Sequence, residues 1–445
     1  MIISRRPGLL FPAWLRRPGV PVLAGAGVVA IAVFLDRLVL HIGLNGFLLV
    51  PLALIAVTVV VVFRSAESDQ HLHRLSKEEH SELHELVSEV ADALAVRRPR
   101  RIWAWARPDS VAVRPIPGRS ELWLGLPYLT EMSPDELKAV IAHELTLLEQ
   151  RRSWLVDASY ALWRAEVERR GTMPADVAAI AISVLRTADE AGARLMGTQI
   201  TVSALRRGAL ITNSFTWFAV RYAWPLVTMR GYPADLYKGW RWKVHDDGFL
   251  ERFVRSVAED GRPGSMAARI VALGSGLDGA LPVAERVLPV RLPEEIEARL
   301  ARSYLRKMLP AQYTAARAMP FRDVPEDEWD AVVEQQLAEV SAAVATLLNR
   351  QAVTVREIID VVVAGRAGEI VWDHRTWLCT HSGPEACALF PVFHRELRKA
   401  GYRYDHPLRQ RLLIAGDGER VDVVALAERV AGGEPLPDRM RHLVE

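Results

Sequence analysis

The stretch "MSPDELKAVIAHELTLLEQ", residues 132 to 150, constrains this chain more than any other. Ser133 stands before Pro134, and Glu136 follows three places after the serine. That pattern predicts a helix start: serine accepts from the third helical amide, glutamate reaches back, and proline fills a position that needs no donor. Upstream, "RIWAWA" and "SVAVRPI" alternate as short strands and "ELWLGLPYL" reads as a third. "SKEEHSELHELVSEVADALAV" places Leu83, Val87, Val90, Ala91 and Leu94 on one helical stripe. The expected fold class is therefore mainly α with a small β-sheet.

The chemistry in the central helix is incomplete. A zinc-peptidase helix carries two histidines four residues apart, which puts both rings on one face, and a glutamate that acts as base on metal-bound water. Here His143 and Glu144 are present, but Leu147 occupies the place of the second histidine.

The surroundings carry a resemblance. A strand ending in "LGLPYL" and the helix "SPDELKAVIAHEL" resemble the membrane-anchored zinc metallopeptidases of the HtpX and CAAX-prenyl-protease type. The matching residues are Gly125, Leu126, Glu136, Leu137, Ala139, Val140, Ala142, His143, Glu144 and Leu145. The resemblance implies an α+β metallopeptidase-like domain and a third zinc ligand from a later helix, in the pattern Glu-x-x-Ala-Asp. In "LRTADEAGARLMG" that pattern aligns Ala188 and Asp189, which leaves Leu185 in the ligand position. A shift by four instead puts Asp189 itself there. Under the first alignment Asp189 matches a residue that supports the site from behind its ligands, and without a metal it pairs with His143. "YPADLYKGWRW" and the C-terminal "AGYRYDHPLRQRLLIAGDGERVDVVALAERV" look like segments of actinobacterial relatives. A histidine of theirs corresponds to Ala280 in "ALPVAER".

The resemblance thus implies a homologue of zinc metalloendopeptidases with Leu147 and Leu185 in two of three ligand positions. Such a chain would bind no zinc, would not hydrolyse peptides, and would act by binding a protein partner. The alternative is an active zinc peptidase with a substituted ligand set, with Glu144 as its base. A third reading makes the C-terminal part the working module, binding a partner or anionic lipid through "YRYDHPLRQR".

Other candidate ligands are weaker. His80 and His84, four residues apart, could share a helix face but have no placed third ligand, and His374, Cys379, His381 and Cys387 fall within one stretch whose spacing matches no common zinc finger or ribbon. "AGDGE" and "GSGLDG" lack the context of a phosphate loop. A formal net charge of +2 gives no broad argument for nucleic acid, and two cysteines point to a reducing compartment.

Two uncharged apolar runs, 19–35 and 44–63, are each about long enough to span ~30 Å of hydrocarbon. With Arg5, Arg6, Arg16 and Arg17 before them, and Arg64, Arg74 and Lys77 after, they predict a transmembrane hairpin in the plasma membrane with the main domain cytoplasmic. The expected organisation is a hairpin over 1–66, a metallopeptidase-like domain over 67–305, a helical extension over 306–368 and an α/β module over 369–445. One long helix is expected from about Pro174 to Arg207, with Gly192 and Gly197 as weak points. The apolar segment 209–229, interrupted by Arg221 and Pro225, reads as a core or surface-lying helix.

Overall fold

Ile102 and Ala104 are buried, whereas Trp103 between them is half-buried. This alternation is that of a strand with one covered face. The same holds across the strand beside it, where Leu122 and Leu124 are buried around Trp123. The strands are β1 Leu72–Arg74, β2 Arg101–Trp105, β3 Ser110–Ile116 and β4 Arg119–Gly125, in the order β1-β2-β4-β3. β2 and β4 run parallel, pairing Trp103 with Trp123, and the other pairs are antiparallel. β3 is an edge.

The computed structural model describes residues 71–116, 119–152, 156–157, 159–160, 175–223, 226, 231–245, 253, 264–276, 290–308, 317–370, 383–406, 408–438 and 441. These fall into two units, the residues up to Phe215 with Phe253–Tyr304, and Thr216–Arg252 with Leu305–Glu445.

In the first unit the sheet is accompanied by α1 Ser81–Ala93, α2 Leu126–Glu131, α3 Pro134–Gln150, α4 Ala175–Met196, α7 Met266–Ala272 and all but the last three residues of α5 Thr198–Phe218. α1 buries Leu83, Leu86, Val87, Val90 and Ala91 and packs on α3. α3 starts as its sequence predicts. Ser133 Oγ accepts from the Glu136 amide at 3.2 Å and the Glu136 carboxylate accepts from the Ser133 amide at 3.0 Å. The same carboxylate takes Ser203 at 2.7 Å and Arg207 at 2.8 Å, so one buried glutamate both caps α3 and ties it to α5. The expected third strand ends early: "LPYL" is α2, with Gly125 as its cap and Pro127 in its first turn. The single helix expected over 174–207 is two, because Gly197 leaves helical space at φ +85°.

The second unit contains α6 Leu236–Val244, α9 Glu326–Leu347, α10 Val355–Val363, α11 Pro384–Lys399 and α12 Val423–Ala431. It also holds the paired strands β5 Gly231–Pro233 and β6 Arg317–Met319, and the sheet β7 Arg403–Tyr404, β8 Leu412–Ile414 and β9 Arg420–Asp422. α8, Glu294–Met308, lies across the chain positions where the units divide. The Asp-Gly hairpin read from the sequence is present, with Gly418 at φ +88° between β8 and β9. The boundary expected at 369 is not a break. Val344, Ile359, Phe390 and Val424, from helices on both sides of it, share one hydrophobic core.

Among the described residues no helix is long and apolar enough to cross a membrane. The runs at 19–35 and 44–63 lie outside the described residues. The expected transmembrane fold class and the multi-pass plasma-membrane location are therefore withdrawn, and the architecture is mostly helical with small sheets. The apolar residues of 209–229 are used otherwise. Phe215 is buried in the first unit, and Phe218 and Tyr222 in the second, where a π-helical turn, Ala219–Ala223, follows α5.

Candidate functional site

Residues four apart on a helix lie one above the other on the same face. On α3 this aligns His143 with Leu147, and on α4 it aligns Leu185 with Asp189. The two helices pack against each other and bring the four side chains to one place. Leu147 and Leu185 are 1% and 3% exposed and belong to one cluster with Tyr160, Ala181, Val184 and Ala188. Asp189 lies beside His143, with its Oδ1 at 2.9 Å from Nδ1.

A third element enters here that the sequence reading missed. Arg269, on α7, grips the Asp189 carboxylate with both arms, Nε at 2.8 Å from Oδ2 and Nη2 at 2.6 Å from Oδ1. The same Nη2 is 3.2 Å from His143 Nδ1 and 3.4 Å from Nε2. The guanidinium nitrogen thus stands within hydrogen-bonding distance of the imidazole as well as of the carboxylate.

The electrostatics follow from burial and pairing. Burial by itself would raise the Asp189 carboxyl, but the charge and hydrogen bonds of Arg269, with a contribution from His143, outweigh it and hold the group below the usual carboxylate range. Burial would likewise lower Arg269, and Asp189 reverses this and raises it. Asp189 is therefore an anion and Arg269 a cation, forming a two-point bonded pair.

Glu144 points elsewhere. Its Oε2 accepts the Ala112 amide at 3.1 Å and its Oε1 is 3.5 Å from Ser110 Oγ, both on the edge strand β3. The carboxylate completes a strand edge.

These residues do not fit a catalytic zinc, which uses three protein ligands plus water. Leu147 and Leu185 offer no donor, and a guanidinium already lies against both imidazole nitrogens. A dication there would have to displace the Arg269 guanidinium from both the carboxylate and the imidazole. Among the described residues no group of three His, Cys, Asp or Glu side chains could hold a metal ion. The shifted alignment, with Asp189 as ligand, meets the same obstacle, since both its oxygens are engaged by Arg269.

The other candidates separate. His84 Nε2 lies 2.9 Å from the Leu75 carbonyl, to which it donates, while His80 precedes the first turn of α1. Cys387 is buried in the core of the second unit. His374, Cys379, His381 and Ala280 lie outside the described residues.

Compared with protein-family models, with curated proteins and with solved structures, the chain matches none of them. The assignment of a role therefore rests on the geometry above. Gly125 adds one element of it. A Cβ there would meet the carbonyl oxygens of Arg107 and Asp109 at 2.4 and 2.6 Å, so glycine lets that connection close over the end of β4.

Proposed function

We propose that this chain is a zinc-metallopeptidase-like protein that does not hydrolyse peptides and works by binding a protein partner. The observation that carries the reading is the joint burial of Leu147 and Leu185 in one apolar cluster directly beside His143. Two positions that would have to supply donor atoms supply methyl groups packed against Ala181, Val184 and Ala188. Neither can be exchanged for water without opening a cavity in that cluster.

The retained polar groups have structural duties that account for their presence. Glu144 finishes β3, and His143 and Asp189 join α3 to α4. A scaffold without hydrolytic groups in working positions would act through binding, which is the role proposed for it.

A peptidase assay on unfolded protein substrates, run with added zinc, compares the full chain with Glu144→Ala. The reading expects background cleavage from both. Zinc-dependent cleavage that disappears in Glu144→Ala would overturn it in favour of an active peptidase with substituted ligands.

A further inference from the structure

We infer that Arg269 is a resident cation for the His143–Asp189 pair: the chain itself delivers the positive charge that these two side chains share. The inference deepens the reading of the site as metal-free and rests on it.

The Asp189 side chain is 3% exposed, and an isolated carboxylate at that depth is strongly disfavoured. It is compensated by a guanidinium that meets both of its oxygens and whose Nη2 also reaches the imidazole of His143. One group thus contacts residues from α3 and α4 together. A metal ion does the same in sites whose ligands come from two helices, by joining them through a shared positive charge. Arginine suits this place better than lysine, because a planar fork satisfies two oxygens and still reaches the ring nitrogens.

The guanidinium is also held from behind. Ser265 Oγ accepts the Ala268 amide at 3.2 Å and so caps α7. Ile270, fully buried, packs on Val202 and Leu205 of α5. Arg206 of α5 in turn donates to the carbonyl of Gly276 beyond the end of α7. The helix that carries Arg269 is therefore fixed on both sides of it, and the cation arrives at a set position.

The test uses the full chain and its thermal midpoint. Arg269→Ala is expected to lower the midpoint by on the order of 10 °C. Millimolar guanidinium chloride is expected to return part of that loss, where equal sodium chloride does not. In Arg269→Ala combined with Asp189→Asn the guanidinium effect should vanish. A midpoint unchanged in Arg269→Ala, or a guanidinium effect of the same size in the double variant, would overturn the inference. If Arg269→Ala does not fold, the pair Arg269→Leu and Asp189→Leu decides. The double variant should fold and melt above Asp189's partnerless single variant, and a double variant no better than Arg269→Leu alone would overturn the inference. Stoichiometric zinc in the unaltered chain would overturn the metal-free reading itself, whereas an unshifted Arg269→Ala overturns only the resident cation.

Discussion

Glu144 accepts the backbone amide of Ala112 at 3.1 Å, so the carboxylate of the His-Glu pair serves the edge of a sheet. Removing it leaves a buried donor on β3 without its partner, which costs about 1–3 kcal/mol. Glu144→Ala should lower stability by that amount in chemical denaturation. Glu144→Gln keeps an acceptor oxygen and should lose less. Equal losses would mean that charge, not the hydrogen bond to Ala112, is what matters there.

Asp189→Asn should be the more damaging change, about 3–5 kcal/mol, because it leaves Arg269 charged and unpaired in a largely buried place. The pair also makes stability depend on acid. The folded Asp189 is held below its ordinary value, so the unfolded chain takes up the proton first. Its contribution is complete above the ordinary carboxylate range and is lost as pH falls through that range toward the lower folded value. Denaturation across the acid range should show a steep loss in the unaltered chain and a shallower one in Asp189→Asn. Parallel curves would remove Asp189 as the cause.

Gly125→Ala places a methyl group against backbone oxygens at 2.4 and 2.6 Å, and backbone cannot step aside as a flexible side chain can. A loss of ~1–3 kcal/mol is expected, the usual cost of forced overpacking. Gly197→Ala, by contrast, meets no neighbour within 4 Å and suffers only from its positive φ. Melting curves of the two variants separate crowding from backbone strain.

The second unit carries its own acid sensitivity at His394. The ring is 0% exposed and lies between Phe390 and Tyr404. Burial pushes it down to about 4 from 6.5; Asp330 opposes this and Arg398 adds to it. The unfolded chain therefore binds the proton that the folded one refuses. Stability contributed by neutral His394 is present above 6.5 and declines as pH falls toward 4, by at most ~3 kcal/mol. The protection of α11 amides against hydrogen exchange, taken relative to their intrinsic rates, should fall over that interval, and His394→Phe should flatten the dependence. Unaltered pH dependence in the variant would contradict the assignment.

What the sequence made legible was local. The Ser133–Glu136 box, the Asp417-Gly418 turn and the stripe of α1 each depend on residues a few places apart, and each formed as its spacing predicts, except that Leu94 of the stripe is the half-buried C-cap of α1. The pairing of His143 with Asp189 was reachable because a motif aligned the two helices that carry them. Arg269 was not reachable. It lies 80 residues from Asp189 and 126 from His143, in a short segment, "SMAARIVA", with no chemical signature of its own. Distances of that kind are set by tertiary packing, which periodicity does not encode. The same limit hid the joining of α9 and α10 with α11 and α12 across residue 369, because a shared core is a property of the folded chain. The apolar segment 209–229 was legible as core, because Arg221 and Pro225 interrupt it, and Phe215, Phe218 and Tyr222 are buried.

The most direct measurement is the zinc content of the purified full chain after exposure to zinc and removal of the excess, beside that of His143→Ala. Leu147, Leu185 and Arg269 together predict no more zinc in the unaltered chain than in the variant. Near-stoichiometric zinc that disappears in His143→Ala would contradict the account.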